Sequence, residues 1–495
     1  MKQMIKFKSI ITYLTITFGL ISCNVERLPE DQIDLSRAFE SVTDAGNWDN
    51  LFYRELRGNV YGVYSFTTEV QADMLNATAG YGNRNGSPHR WTDFLSGDGN
   101  ISTIYSNYYS AINNINVAIR GFKKISPANE AEQKSLNQYT GDAHLARAYY
   151  YLNLVLRFSK AYDPSTSKAD LAVALILEPD VNLKPKRSTV SEVYTQILSD
   201  ISIAKTNLQD VQGTKGSTRF TIDAVWALEA RVRLYMQDWE GAKAAAEELI
   251  KGGRYTLYNS AEGVLKMWSE DTKDEIIFEP AVRSPDERPN TMSIFYGYNT
   301  GGRNYRPDFL PSQWVIDKFS NTDYRKAAYF KVVPIFIQGS RYEGFRIVNK
   351  WPGNRSLMTD LNTNYNSQKV FRIAEYYLIS AEASYMIEQE EDAVKRINEL
   401  RKARGLTAIN VTGQMLLNEI KDERFRELAF EGFRLDDLKR WREGFERKNP
   451  QSMDMIMKGA DFESKRVTAG DNKFVWGIPE RDVTVNLNLT QNPGW

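Results

Sequence analysis

The chain has 495 residues, with 63 Lys+Arg against 63 Asp+Glu and a formal net charge of zero, so it lacks the basic surplus of a nucleic-acid binder. Only two histidines occur, His89 and His144, which excludes a His-rich zinc site, and 12% of the chain is aromatic. That length can bury one large core or a few smaller ones, and the ring surplus suits a protein that stacks sugar rings as well as filling its core.

The first 23 residues carry Lys2, Lys6 and Lys8 and no acid, which leaves 60 basic and 63 acidic residues, a net of −3, in the remainder. An apolar run, Ile10–Ile21, follows these lysines. It is too short for a comfortable transmembrane helix and fits a secretory signal peptide. The run ends in Leu20-Ile21-Ser22-Cys23, which resembles a bacterial lipobox. Cys23 is the only cysteine, so no disulfide can form within the chain. The mature protein is expected to begin at Cys23, acylated on its sulfur and amino group. Several acyl chains anchor stably where one does not. Asn24–Gln32 is polar and acidic, as a tether would be.

Apolar periodicity predicts helices over Asn50–Val63, Ile104–Phe122, Gly141–Phe158 and Ser188–Leu208. Ser188 or Thr189 can cap the last of these, and Glu192 completes a capping box from Thr189. An internal repeat follows: Ala224–Lys251 overlays Glu375–Lys402 at a fixed offset of 151 residues. Ala230 falls on Ala381, Ala242 on Ala393 and Leu249 on Leu400. Each copy reads as a helix, a short turn (Gln237-Asp238-Trp239 or Glu388-Gln389-Glu390) and a second helix. Small residues where helices cross are what tetratricopeptide-like pairs need. Ala148 and Leu152 align with Ala230 and Leu234, giving a third pair of the same design.

Three stretches break the helical pattern: Asn76–Asn100, Arg283–Phe309 and Gln338–Lys369. All combine Gly and Asn with aromatic and basic residues. Long loops of this kind tend to be functional. A sugar presents apolar C–H faces and many hydroxyls, so its site wants flat rings beside Asn, Asp and Arg. The candidate ligand-binding residues are Tyr81, Arg84 and Trp91 from the first loop and Tyr296, Tyr298 and Arg303 from the second. Arg90, beside Trp91, is a further candidate for an acidic ligand. For any single ring the plainer reading is a plug that pins its loop to the scaffold. No G-x-S-x-G elbow, H-E-x-x-H motif, Walker loop or EF-hand spacing occurs, and no catalytic metal or cofactor is expected.

Near the C-terminus, Glu423–Trp441 reads as helix interrupted at Gly432. Phe425, Leu428, Gly432 and Leu435 fall on one face, and Arg424–Glu427 and Asp436–Arg440 are spaced to pair locally. Glu427, Glu431, Asp436 and Asp437 are dense carboxylates, but neighbours on one helix do not face each other across a substrate as a glycosidase pair must. The stretch resembles the C-terminal signature of the SusD/RagB family, roughly E-R-x-x-E-L-x-x-E-G-x-R-x-x-D-L-x-R-W. Glu423, Arg424, Glu427, Leu428, Glu431, Gly432, Arg434, Asp437, Leu438, Arg440 and Trp441 match it. Tyr108–Ile119, Gly141–Leu152, Arg219–Ala242, Arg372–Ala383 and the closing Gly477–Trp495 are also similar to the family.

The resemblance implies a mainly α fold with four tetratricopeptide-like helix pairs as scaffold and long loops carrying the ligand site. It implies a structural role for the signature, and it places Trp314 and Trp351 in the framework. It implies one SusD-like unit over 24–495 after a signal peptide at 1–23, with an N-terminal region to about 212 and a RagB/SusD region from about 265. The implied protein is not an enzyme. It is a lipid-anchored lipoprotein on the surface of the outer membrane that captures glycan and delivers it to a TonB-dependent, SusC-like transporter. Peptide or another nutrient as cargo, a surface glycoside hydrolase, and a plain tetratricopeptide scaffold for protein partners are the alternatives.

Overall fold

The computed structural model describes residues 38–495 apart from 181, 284–285, 292, 298–304 and 358–363. Cys23 with its signal peptide, Tyr298 and Arg303 lie outside the described residues.

Long helices dominate. They are α1 (Val42–Asn59), α2 (Val63–Gln71), α3 (Gly99–Phe122), α4 (Glu130–Phe158), α5 (Val190–Leu208), α6 (Ile222–Tyr235), α7 (Trp239–Gly252), α8 (Ile373–Met386), α9 (Glu390–Ala403), α10 (Gly413–Leu428) and α11 (Arg434–Trp441). Their starts follow local chemistry. A capping box between Ser41 and Asp44 opens α1 eight residues before the apolar pattern begins. Asn129 caps α4, whose first turns are largely exposed and so carry no apolar signal. The Thr189–Glu192 box opens α5 as its sequence predicts.

From α3 to α7 each helix packs on the next in the chain, α7 packs on α8 across the intervening segment, and α8 and α9 both pack on α10. The two repeat copies are α6/α7 and α8/α9. Ala230, Ala242, Ala381 and Ala393 are all fully buried, which lets the helices approach closely. The turn of each copy carries one residue at φ near +60°, Gln237 and Glu388, again 151 residues apart. The strands are few and short: β1 (Leu75–Ala77), β2 (Ile276–Phe278), β3 (Phe309–Pro311), β4 (Phe330–Ile337), β5 (Ser340–Val348), β6 (Phe371–Arg372), β7 (Phe445–Glu446) and β8 (Arg466–Val467). They pair antiparallel as β1–β3, β2–β6, β4–β5 and β7–β8.

Several segments depart from expectation: the predicted helix Asn50–Val63 ends at Asn59 and restarts at Val63, and Asn76–Asn100 contains a short helix at Gly86–Arg90. Gln338–Lys369 is not irregular throughout, because Ser340–Val348 is a strand hairpinned to β4. The two-residue turn, Gln338 and Gly339, has φ of 50° and 84°, the left-handed pair that a tight hairpin needs.

The signature forms the centre of the C-terminal half. The local pairs predicted from spacing do not form. Glu427 instead accepts from Arg325 at 2.9 Å, Arg372 at 2.5 Å and Arg404 at 2.9 Å. Arg424 donates to Asp437 at 2.8 Å, Arg440 binds Asp437 and Glu382, and Asp436 takes Arg157. Glu423, Arg424 and Glu427 are completely buried, so desolvated charges take the partners that enclose them from other elements. Gly432 does both things its position allows. Its φ of +87° ends the helical run, and a Cβ there would stand 3.1 Å from the Ser65 carbonyl. Its N–H donates to Glu69 at 2.8 Å.

Candidate ligand-binding face

Loop 78–98 is laid out by backbone bonds on both sides. Thr78 and Ala79 donate to the carbonyls of Asp308 and Met455, at 2.8 and 2.9 Å, and the Gln338 amide donates to Ala79 O at 3.0 Å. Four residues of the loop, Gly82, Asn83, Asn85 and Trp91, have φ between +53° and +66°. Such a path needs holding, because bulky residues disfavour that region. Arg447 supplies part of the hold. It is fully buried and donates to His89 O at 2.8 Å and Ala72 O at 2.9 Å. With no carboxylate bonded to it, burial pulls its guanidinium down to about 9.

Of the rings chosen from sequence, Trp91 and Tyr81 add to this hold. Trp91 is 2% exposed. Its ring packs edge-on against Phe445 and Phe474, with centroids 5.6 and 5.1 Å away, and its Nε1 donates to Gln71 O at 2.7 Å. Tyr296 is fully buried against Phe66 and Phe430. Tyr81 packs its ring on Phe309 and Phe462 and keeps only its hydroxyl near the surface, where Arg90 donates to it at 2.7 Å. As packed, Trp91 and Tyr296 offer no open face on which a sugar could stack.

The described polar candidates, Arg84 and Arg90, do reach the surface. The Arg84 side chain is 48% exposed and donates to Asp308 at 2.7 Å. Asp308 has a second oxygen, Oδ2, that is buried without a hydrogen bond, and burial pushes its carboxyl up to about 6 against the pull of Arg84. Arg90 donates to Asn83 at 2.6 Å and forks onto Asp93 at 3.0 and 2.5 Å. Across a narrow gap, Thr92 donates to Asp461 at 2.8 Å, and Lys465 reaches both at 3.1 and 2.9 Å. The face is thus a patch of amide, hydroxyl and mixed charge from loop 78–98, Asp308 just ahead of β3, and residues 461–465. Hydrogen bonds from lysine and arginine hold Asp93 and Asp461 below the usual carboxylate range, more than offsetting the burial that raises Asp461.

Sequence reasoning missed Asp308, Asn83, Asp461 and Lys465. Asp308 sits one residue from a nominated loop end and Asn83 inside a nominated loop, so composition could have included them. Asp461 and Lys465 reach the face only through the tertiary fold.

Similar proteins agree with one another. A family model described as SusD family matches residues 256–495, and one described as starch-binding associating with outer membrane matches residues 43–234. SusD-like protein P38 of Formosa agariphila is 25% identical, over 90% of this chain and 94% of its own. SusD-like protein P2 of the same organism is 24% identical over 98% and 99%. Among solved structures, a SusD superfamily protein from Bacteroides thetaiotaomicron superposes with a TM-score of 0.78 at 25% identity, over 92% of this chain and all of its own. A SusD-like carbohydrate binding protein from Bacteroides vulgatus has the same fold, with a TM-score of 0.75 at 20% identity over 91% and 98%.

Proposed function

The chain belongs to the SusD family, and from that membership we propose that it is a glycan-binding lipoprotein of the outer-membrane surface. The observation that carries the reading is the match of residues 43–234 to a family described as starch-binding and associated with the outer membrane. The lipobox at Cys23 supports the anchor. In the bacteria that carry this family, an acidic stretch after the cysteine often accompanies export to the surface, and Asn24–Gln32 has that character.

The proposed ligand face is the patch around Arg84, with Asn83, Arg90 and Thr92 as hydroxyl partners. Tyr298 and Arg303 remain proposed contacts. Trp91 and Tyr81 act as plugs that hold loop 78–98, and Tyr296 fills the core against Phe66 and Phe430. The protein is proposed to bind without turnover and to pass ligand to a SusC-like transporter. The mixed charge of Arg84, Arg90, Asp93 and Lys465 favours one second reading, a peptide held by its termini and side chains.

The test is a screen of the purified protein against neutral glycans, acidic glycans and peptides, followed by recovery of the ligand. Binding of a glycan recovered intact supports the proposal. Binding of peptides alone moves the cargo, and shortened glycan products point to a hydrolase.

A further inference from the structure

Helix α1 carries a polar stripe away from the core. Asn47, Asn50, Arg54 and Arg57 recur at spacings of three and four, which keeps them on one side. They form one wall of a cleft of about 640 Å3. Arg219, just ahead of α6, and Arg283 with Glu287, at the start of the long loop toward Tyr305, form the other. A volume of this order holds a small ligand.

Four guanidinium groups meet two carboxylates here. Asp49, buried beneath the cleft, takes the Arg219 ion pair, and Arg219 also donates to Asn50. Arg57 donates to Ala281 O at 2.8 Å. Glu287 stands 3.5 Å from Arg57 Nη2 and 3.6 Å from Arg283 Nε, both longer than the ~2.7–2.9 Å of a charge-assisted bond. Its Oε2 is buried without a hydrogen-bond partner. The Arg283 side chain is 81% exposed. Arg54 is exposed and makes no hydrogen bond or ion pair with any described residue. Counting Glu55, whose carboxylate feels the neighbouring Arg54, positive charge still exceeds negative around a concave site lined by amides.

We propose that this cleft binds the carboxylate of an acidic sugar, with Arg54 and Arg283 holding the anion and the Asn47 and Asn50 amides bonding ring hydroxyls. A planar guanidinium matches a carboxylate bidentately, and the concavity suits a single sugar better than a flat lipid surface. The inference rests on the glycan reading for the class of ligand and on the cleft's own residues for its place, which is separate from the Arg84 face.

The test titrates the purified protein with digalacturonate, its methyl ester and vesicles of anionic phospholipid, at low and high salt. The Arg54→Gln/Arg283→Gln variant is titrated in parallel. Digalacturonate is expected to bind at least tenfold more tightly than the uncharged ester. The variant should lose at least tenfold in affinity with unchanged melting, and salt should weaken binding. Equal binding of the ester, full affinity in the variant, or binding to vesicles without binding to digalacturonate overturns the inference. Neutral glycans that bind the Arg84 face while digalacturonate fails would leave the glycan reading standing and remove only this site.

Discussion

Glu427 is the residue on which most others converge: three arginines from different elements donate to its carboxylate, and its carbonyl takes Tyr329, Lys350 and Arg372. The arginines hold its pKa well below the usual carboxylate range although burial alone would raise it. Glu427→Gln keeps the shape and removes the charge, leaving three guanidinium groups under-paired. The expected loss is about 3–5 kcal/mol by urea denaturation, with no direct effect on ligand affinity. Asp308 behaves oppositely. Its folded pKa, about 6, lies above the ~3.9 of an unfolded aspartate, so its contribution to stability is present below about pH 4 and is lost as pH rises through 6. Melting curves of the parent should therefore fall relative to Asp308→Asn between pH 4 and pH 7. The carboxylates and arginines of the signature are plain in sequence, but their partners are not. Arg325, Arg372 and Arg404 lie 23 to 102 residues away, and helical spacing speaks only of neighbours one turn apart.

The repeat shows what an element lends to sequence reading. Alanines at the helix crossings and the 151-residue offset announced α6/α7 and α8/α9, because a close crossing admits only small side chains. The loops announced their composition but not the direction of their rings. Trp91 sits at φ +66° between Phe445 and Phe474, an orientation set by β7 and by a 3-10 turn from the far end of the chain. Trp91→Ala is expected to cost about 3–5 kcal/mol of stability, read by denaturation, rather than to act as the loss of a sugar platform. Gly432 joins α10 to α11 at φ +87° with the Ser65 backbone alongside. Gly432→Ala should destabilise by about 1–3 kcal/mol, since the left-handed conformation and the close approach both exclude a Cβ.

Across the whole molecule, α3 runs between loop 78–98 and the start of the described chain. Its C-terminal residue Phe122 packs on Phe39, near where the described chain begins. Its N-terminal end, at Gly99, adjoins loop 78–98. A 24-residue helix spans about 36 Å. Cys23→Ala should abolish fatty-acid labelling and membrane retention without altering ligand affinity, as detergent partitioning and labelling would report. Everything proposed for the ligand turns on this face holding the glycan. Calorimetric titration of the parent and of Arg84→Ala with the tightest neutral glycan from the screen tests it most directly. Arg84 is half exposed but its partner Asp308 is buried, so the variant should melt below the parent as the Asp308 carboxyl is left to take up a proton, and the titration is made where both proteins are folded. The predicted result is a loss of at least tenfold in affinity; unchanged affinity in a folded Arg84→Ala protein would contradict it.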